Sequence, residues 1–214
     1  MIEVAEKSML WLKVTVSGKQ CHASSPEEGV NTLVAAAAFI LRITKLHDMF
    51  PAVDKLFSPA NSTFQPTKKE ANVENVNTIP GRDVFYVDCR VLPQYDLADV
   101  LKAIESMGQE ITATYGVGIR YDVVQQEQAA PATPVDAEIV TRMLAAVKAV
   151  YGGNPRPMGV GGGTVAAYLR RAGHDAAVWA TWVPNAHQPN ERSLISTNLG
   201  DAKVVARALF GGAD

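Results

Sequence analysis

The chain has 214 residues, with 20 basic and 22 acidic side chains for a net charge of −2, and 47% of its residues are hydrophobic. That apolar fraction suffices for one large core or two small ones and excludes a disordered chain. Charges of both signs are scattered, so no basic face points to nucleic acid or to an anionic membrane, and the expected partner is a small molecule or another protein chain.

Cys21 and Cys89 lie far apart, no CxxC pair exists, and the N-terminus carries no basic-then-apolar leader, which together predict a cytoplasmic, reducing home. The longest apolar run, Leu33 to Leu41, is about half of the roughly 20 residues that a membrane span requires. It reads as a core helix.

Residues 1–8 read as a short connector. From Leu10 to Val16, the residues Leu10, Leu12, Val14 and Val16 alternate with Trp11, Lys13 and Thr15, the period-two signature of a strand with one buried face. A turn around His22 follows, ended by Pro26 and Gly29, and Asn31 is placed to cap a helix running to about His47. Asn61 to Glu70 reads as a strand with one wet face and Val84 to Val91 as a clearer one, with Asn77–Gly81 as a loop between them. Asp96 starts a helix through Val100, Leu101, Ile104, Met107 and Ile111, and Gly118 to Val124 is a further strand. This βαββαβ order is the ferredoxin-like pattern, an antiparallel four-stranded sheet with two helices on one face, closing near residue 125.

Gln125 to Pro134, rich in Gln, Ala and Pro, reads as a boundary. Beyond it the pattern predicts a helix at 136–150, a glycine-rich loop, a helix at 165–171, a strand at 176–180 and a final helix at 197–210. Three helices with one or two strands cannot close an α/β sheet alone, so this half is expected to be the C-terminal part of a larger α/β domain.

Three candidate sites stand out. His22, in its turn, is either a loop histidine capping the next helix or a catalytic donor; its neighbour Cys21 points to the opposite face of an extended segment and makes a poor partner. Gly159–Thr164 precedes a helix and aims backbone N–H groups at an anion, but the Lys of a phosphate loop is missing, so a carboxylate or amide is a better candidate ligand than a nucleotide, with a plain tight turn as the alternative. His187, on a loop after a strand, has the setting of a metal ligand. His174 reads as an exposed turn residue and His47 as a helix-end residue.

Four motifs occur in a fixed order: Gly18-Lys-Gln-Cys-His-Ala-Ser-Ser-Pro-Glu-Glu-Gly-Val-Asn31, then Asn77-Thr-Ile-Pro-Gly81 with Asp88-Cys-Arg90, then Gly161-Gly-Gly-Thr164, then His187-Gln-Pro-Asn-Glu191. Together they resemble the M20 family of zinc aminoacylases and peptidases, which includes succinyl-diaminopimelate desuccinylase, acetylornithine deacetylase and related carboxypeptidases. The resemblance implies residues 1–8 as a connector from a catalytic domain, 9–124 as a ferredoxin-like lid that forms a homodimer, and 125–214 as the C-terminal segment of an α/β zinc-peptidase catalytic domain. It implies hydrolysis of the amide bond of N-acyl amino acids or small peptides at a dinuclear zinc site, with cobalt as an alternative metal.

By the same resemblance His22 reaches across the dimer to stabilise the oxyanion, Asn77 helps to hold the substrate, Gly162, Gly163 and Thr164 bind its carboxylate, and His187 is a metal ligand. The family's HxD motif, paired glutamates and general-base glutamate have no counterpart in these residues, so the 214-residue piece is expected to be inactive alone. Many members carry an arginine three residues after the threonine; here that residue is Ala167, and Arg170 or Arg171 is a conceivable substitute. Two rival readings are a non-catalytic dimerisation module and an amino-acid-binding module of ferredoxin-like fold.

Overall fold

The backbone begins with two strands separated by one residue, β1 (Ile2–Glu6) and β2 (Ser8–Ser17), in a computed structural model that describes residues 1–181, 185 and 188–211. The chain divides into two compact units, and the boundary falls between Glu6 and Lys7. Residues 7–55 and 59–129 form the larger unit; residues 1–6 and 56–58 join the chain from Ala130 onward in the other.

In the larger unit the remaining elements are β3 (Cys21–His22), α1 (Thr32–Ile43), α2 (Leu46–Met49), β4 (Thr63–Lys69), β5 (Thr78–Ile79), β6 (Arg82–Val91), α3 (Leu97–Tyr115) and β7 (Gly118–Glu127). The principal sheet runs β4-β6-β2-β7 with every neighbour antiparallel. This is the ferredoxin-like order, with β2 and β6 at the centre. β2 is paired with β6 along its whole length and with β7 from Met9 to Ser17, Leu12 lying opposite Val87 and Val123.

The sequence pattern explains each piece. Leu10, Leu12, Val14 and Val16 are fully buried beneath the helices, as their alternation requires. Asn31 Oδ1 accepts the N–H groups of Leu33 (3.0 Å) and Val34 (3.3 Å), capping α1. Asp96 does the same for α3 through Ala98 (2.8 Å), and Gly116 ends α3 in a left-handed conformation at φ 68°. Ala35 and Ala36 bring α1 close to the sheet, and Phe39 meets Phe85 (5.8 Å between ring centroids) and Tyr121 (6.4 Å) edge-on. Burial pushes the Cys89 thiol up to about 12, so this sulfur is an inert core group.

Lys7 is 4% exposed; its ammonium donates to the carbonyls of Pro59 (2.8 Å) and Asn61 (2.6 Å), and burial lowers its pKa.

The other unit contains β1, α4 (Glu138–Tyr151), β8 (Pro157–Val160), α5 (Ala166–Arg171) and α6 (Ile195–Phe210). β1 and β8 pair in parallel, Ile2 opposite Pro157 and Glu6 opposite Val160. α4 and α6 bury Val140, Met143, Ala146 and Val147 with Val204 and Ala208. Gly159 donates to Leu56 O (2.8 Å) and lies flat against the Phe57 ring, leaving no room for a side chain.

In the unit that contains β1, two segments differ from the sequence reading. Residues 2–6, read as part of a connector, form a strand in which all five residues are buried, so no alternation marks it. Residues 176–180, read as a strand, make a single antiparallel bridge, Val178 to Glu3, while the parallel partner of β1 is the Pro- and Gly-containing segment Pro157–Val160. Among the described residues no helix is long and apolar enough to cross a membrane.

Because Phe39 fills the space between two rings and the sheet, Phe39→Ala is expected to destabilise the larger unit by about 3–5 kcal/mol. Removing the cap with Asn31→Ala should cost only about 1 kcal/mol. Denaturant unfolding of the two variants checks the ordering.

Candidate functional site

The His22 turn is built by three chain segments in close contact. β3 pairs with β5, Cys21 opposite Ile79 and His22 opposite Thr78. Ala23 N–H donates to Asn77 O (2.8 Å), Gly18 N–H to Gly81 O (2.9 Å), and Lys19 exchanges backbone bonds with Val30. Gly81 lies where a Cβ would sit 2.7 Å from Gln20 N, and a side chain at Gly29 would collide with Cys21 Sγ. Close backbone approach explains the glycines at positions 29 and 81. Thr32 closes the arrangement by donating its N–H (3.2 Å) and hydroxyl (2.9 Å) to Pro80 O.

His22 itself is exposed, and its ring is held from one side. Ser24 N–H donates to Nδ1 at 3.1 Å, and Ser24 Oγ lies 2.7 Å from the same nitrogen. A nitrogen that accepts a backbone N–H must present its lone pair, so in the neutral ring the proton resides on Nε2. The turn thus presents an Nε2–H donor outward. Asn77 is exposed and precedes Thr78, the residue opposite His22, with its backbone carbonyl engaged by Ala23 and its Oδ1 3.5 Å from the Thr78 hydroxyl. Asp88 and Arg90, from the same motif group, form a two-point ion pair on one face of β6 (2.6 and 2.9 Å), with Trp11 Nε1 donating to Asp88 at 3.0 Å.

Thr164 lies in the other unit, on the loop that leaves β8. The parallel register sets Glu6 beside Val160, the last residue of β8, so both the loop and Glu6 lie at the carboxyl end of this strand pair. Thr164 N–H donates to Glu6 Oε1 at 2.8 Å, its hydroxyl donates to the same oxygen, and Ala166 N–H donates to the hydroxyl at 3.2 Å. Thr164 Oγ is also 3.4 Å from Glu3 Oε2. Gly162 is half-buried and Gly163 exposed on the same loop.

Behind this loop is a cluster that the sequence reading does not contain. Arg170 donates to Glu3 Oε1 (2.7 Å) and to Ala176 O (2.8 Å), with Glu6 Oε1 at 3.7 Å; Thr133 Oγ lies 3.1 Å from Arg170 Nε. The Arg170 and Glu3 side chains are 2% and 5% exposed. Arg170, conceived as a substrate-binding substitute, is therefore committed to an internal ion pair, and Arg171 lies over the Tyr168 ring. The overlooked signal is periodic: Arg170 falls on the apolar face of α5 with Ala166 and Ala167, and an arginine on such a face needs a buried anion.

Desolvation raises the pKa of Glu3, outweighing its hydrogen bond and charge interaction with Arg170. His174 is exposed and His47 packs on Phe64 at 5.4 Å. His187 lies outside the described residues. Among the described residues no group of three or more His, Cys, Asp and Glu side chains could hold a metal ion, so these residues do not by themselves fit a metal centre.

The ferredoxin-like unit with its histidine turn defines the chain as carrying a peptidase dimerisation domain, and the sequence profile of that domain matches residues 4–115. The chain belongs to the M20 peptidase family. It is 39% identical over 217 aligned residues to an uncharacterized metallohydrolase of Methanococcus maripaludis, covering 95% of this chain and 52% of that protein. It is 29% identical to acetylornithine deacetylase of Myxococcus xanthus, covering 96% and 53%. Among solved structures, a tripeptidase from Staphylococcus aureus superposes with a TM-score of 0.78 at 17% identity, over 97% of this chain and 52% of that one, a likeness of fold. The chain spans about half the length of the curated relatives it matches.

Two results are expected from the buried cluster. Arg170→Met leaves two carboxylates facing each other without a cation and should cost about 3–5 kcal/mol, read by denaturant unfolding. Glu3 holds its proton to higher pH when folded than when unfolded, so its contribution is present at low pH and is lost as pH rises above the ordinary carboxylate range. Glu3→Gln should flatten that fall in stability; an unchanged slope would assign it to other groups.

Proposed function

We propose that this chain is part of a metal-dependent amidohydrolase that cleaves the amide bond of N-acyl amino acids or small peptides, as desuccinylases and deacetylases do. The observation that carries the reading is the His22 turn: Ser24 N–H occupies Nδ1 and leaves Nε2–H as an outward donor. Such a donor can take the charge that develops on a carbonyl oxygen when water attacks an amide, and removal of one oxyanion donor typically costs about 10²–10³ in kcat.

The metal, zinc with cobalt as the alternative, would supply Lewis acidity and an activated water. His187 is the ligand this chain would contribute, and the remaining ligands are assigned to the part of the relatives that the chain does not span. The residues described here hold and donate. His22 acts in the active site of the partner protomer of a homodimer formed through the ferredoxin-like unit, Asn77 orients the substrate, and Gly162, Gly163 and Thr164 line its pocket. The protein works in the cytoplasm, and the 214-residue piece is inactive alone. The reading of the chain as a non-catalytic dimerisation or amino-acid-binding module is the alternative; it leaves the fixed ring of His22 without a purpose.

In the complete protein, His22→Ala should lower kcat by about 10²-fold or more with little change in KM, because the donor acts on charge that exists only in the transition state. Mixing that variant with a protomer inactivated at its own metal site should restore part of the activity if His22 acts across the dimer. Unchanged kcat in His22→Ala would refute the catalytic role, and a strictly monomeric protein in sedimentation would refute the dimer.

A further inference from the structure

The apolar run from Leu33 to Leu41 forms a helix with two apolar faces, of which the fold covers one. Ala35, Ala36, Phe39 and Ile43 of α1 are buried in the core of the larger unit. On the far side Leu33, Ala37 and Leu41 recur every four residues with Val34 beside them, and all four are exposed, Leu41 by 68% and Val34 by 50%. A helix that is apolar all round belongs in an interior, so this outer face calls for a partner.

The neighbouring elements set the contrast. α3 presents Asp99, Lys102, Glu105 and Gln109 to solvent, the polar face of an ordinary surface helix. The edge strand β4 is a poor seat as well: Pro66 lacks an N–H, the register shifts after it, and Lys68 and Lys69 end the strand. Of these three elements, only α1 offers an apolar contact face.

Charge identifies what covers it. No charged residue lies between Leu33 and Leu41. Glu27 and Glu28 are exposed on the short 3-10 turn Pro26–Glu28 ahead of α1, while Arg42, which also pairs with Glu110, and Lys45 are exposed at its other end. Laid antiparallel across a two-fold axis, such a segment complements itself: each acidic end faces the basic end of the other copy, and the apolar stripes meet between them.

We propose that the outer face of α1 is the seam of the homodimer, two copies packing antiparallel with Leu33 and Val34 of one protomer against the partner's Leu41. The proposal rests on the reading that the chain forms a homodimer through its ferredoxin-like unit. Ala37, midway along the stripe, lets the two helices approach closely. Thr32 ties the start of α1 to Pro80 in the frame of the His22 turn, so the seam and that turn are joined directly.

The 214-residue chain itself serves for the test, with sedimentation as the readout and circular dichroism confirming that each variant keeps its helix content. Leu41→Glu, at an exposed position, should weaken the dimer at least about thirtyfold, whereas Lys102→Glu on the outer face of α3 should leave it unchanged. Charge reversal tests the orientation. Glu27→Lys with Glu28→Lys, and separately Arg42→Glu with Lys45→Glu, should each self-associate more weakly than the wild type. An equimolar mixture of these two variants should regain association, because every reversed end then meets its opposite. The proposal is overturned if the wild-type dimer survives Leu41→Glu, or if the mixture associates no better than its components. A monomeric wild type would register differently, by bringing down the homodimer reading itself and the seam with it.

Discussion

Burial of a strand paired on both edges is the constraint on which the larger unit depends. β2 has Leu10, Leu12, Val14 and Val16 fully buried under α1 and α3, with β6 and β7 hydrogen-bonded along its two sides. At about 1.5–3 kcal/mol for each large apolar side chain taken from water, those four positions fix both the register and the face of the strand, since a slip of one residue would expose them all. The register in turn decides where the chain emerges at Gly18, and hence where the His22 turn can pack against Thr78–Gly81.

The turn converts that packing into chemistry through backbone contacts. Three segments meet too closely for side chains at Gly29 and Gly81, and the result is a rigid frame from which Ser24 N–H reaches His22 Nδ1. The frame costs two glycines and one short strand pair. What it gains is a histidine whose donor nitrogen is selected by the protein rather than by solvent. In the other unit, the same economy appears in reverse: Thr164 has its donors satisfied internally, by Glu6, and the cluster behind it is closed by Arg170.

Much of the ferredoxin-like fold was legible because half-buried strands alternate and amphipathic helices repeat: Phe85, Val87, Cys89 and Val91 mark β6, and Val100, Ile104, Met107 and Ile111 mark α3. β1 was not legible, since a strand buried on both faces has no period, and Glu3 and Glu6 look like surface residues until Arg170 is placed beside them. β8 was hidden by Pro157 and Gly159, residues that read as loop. Of the candidate site, His22, Asn77 and Thr164 could be named from motif residues. Their partners could not: Ser24 acts through its backbone, which any residue has, and the Thr164 to Glu6 pair spans most of the chain.

The central claim is that the turn fixes His22 as an Nε2–H donor. Nitrogen-15 chemical shifts of the His22 ring, measured at a pH where the imidazole is neutral, test it directly. The account predicts a protonated, pyrrole-like Nε2 and an unprotonated, pyridine-like Nδ1, with Ser24→Pro, which lacks the N–H, mixing the two forms. A protonated Nδ1 in the native protein would contradict it.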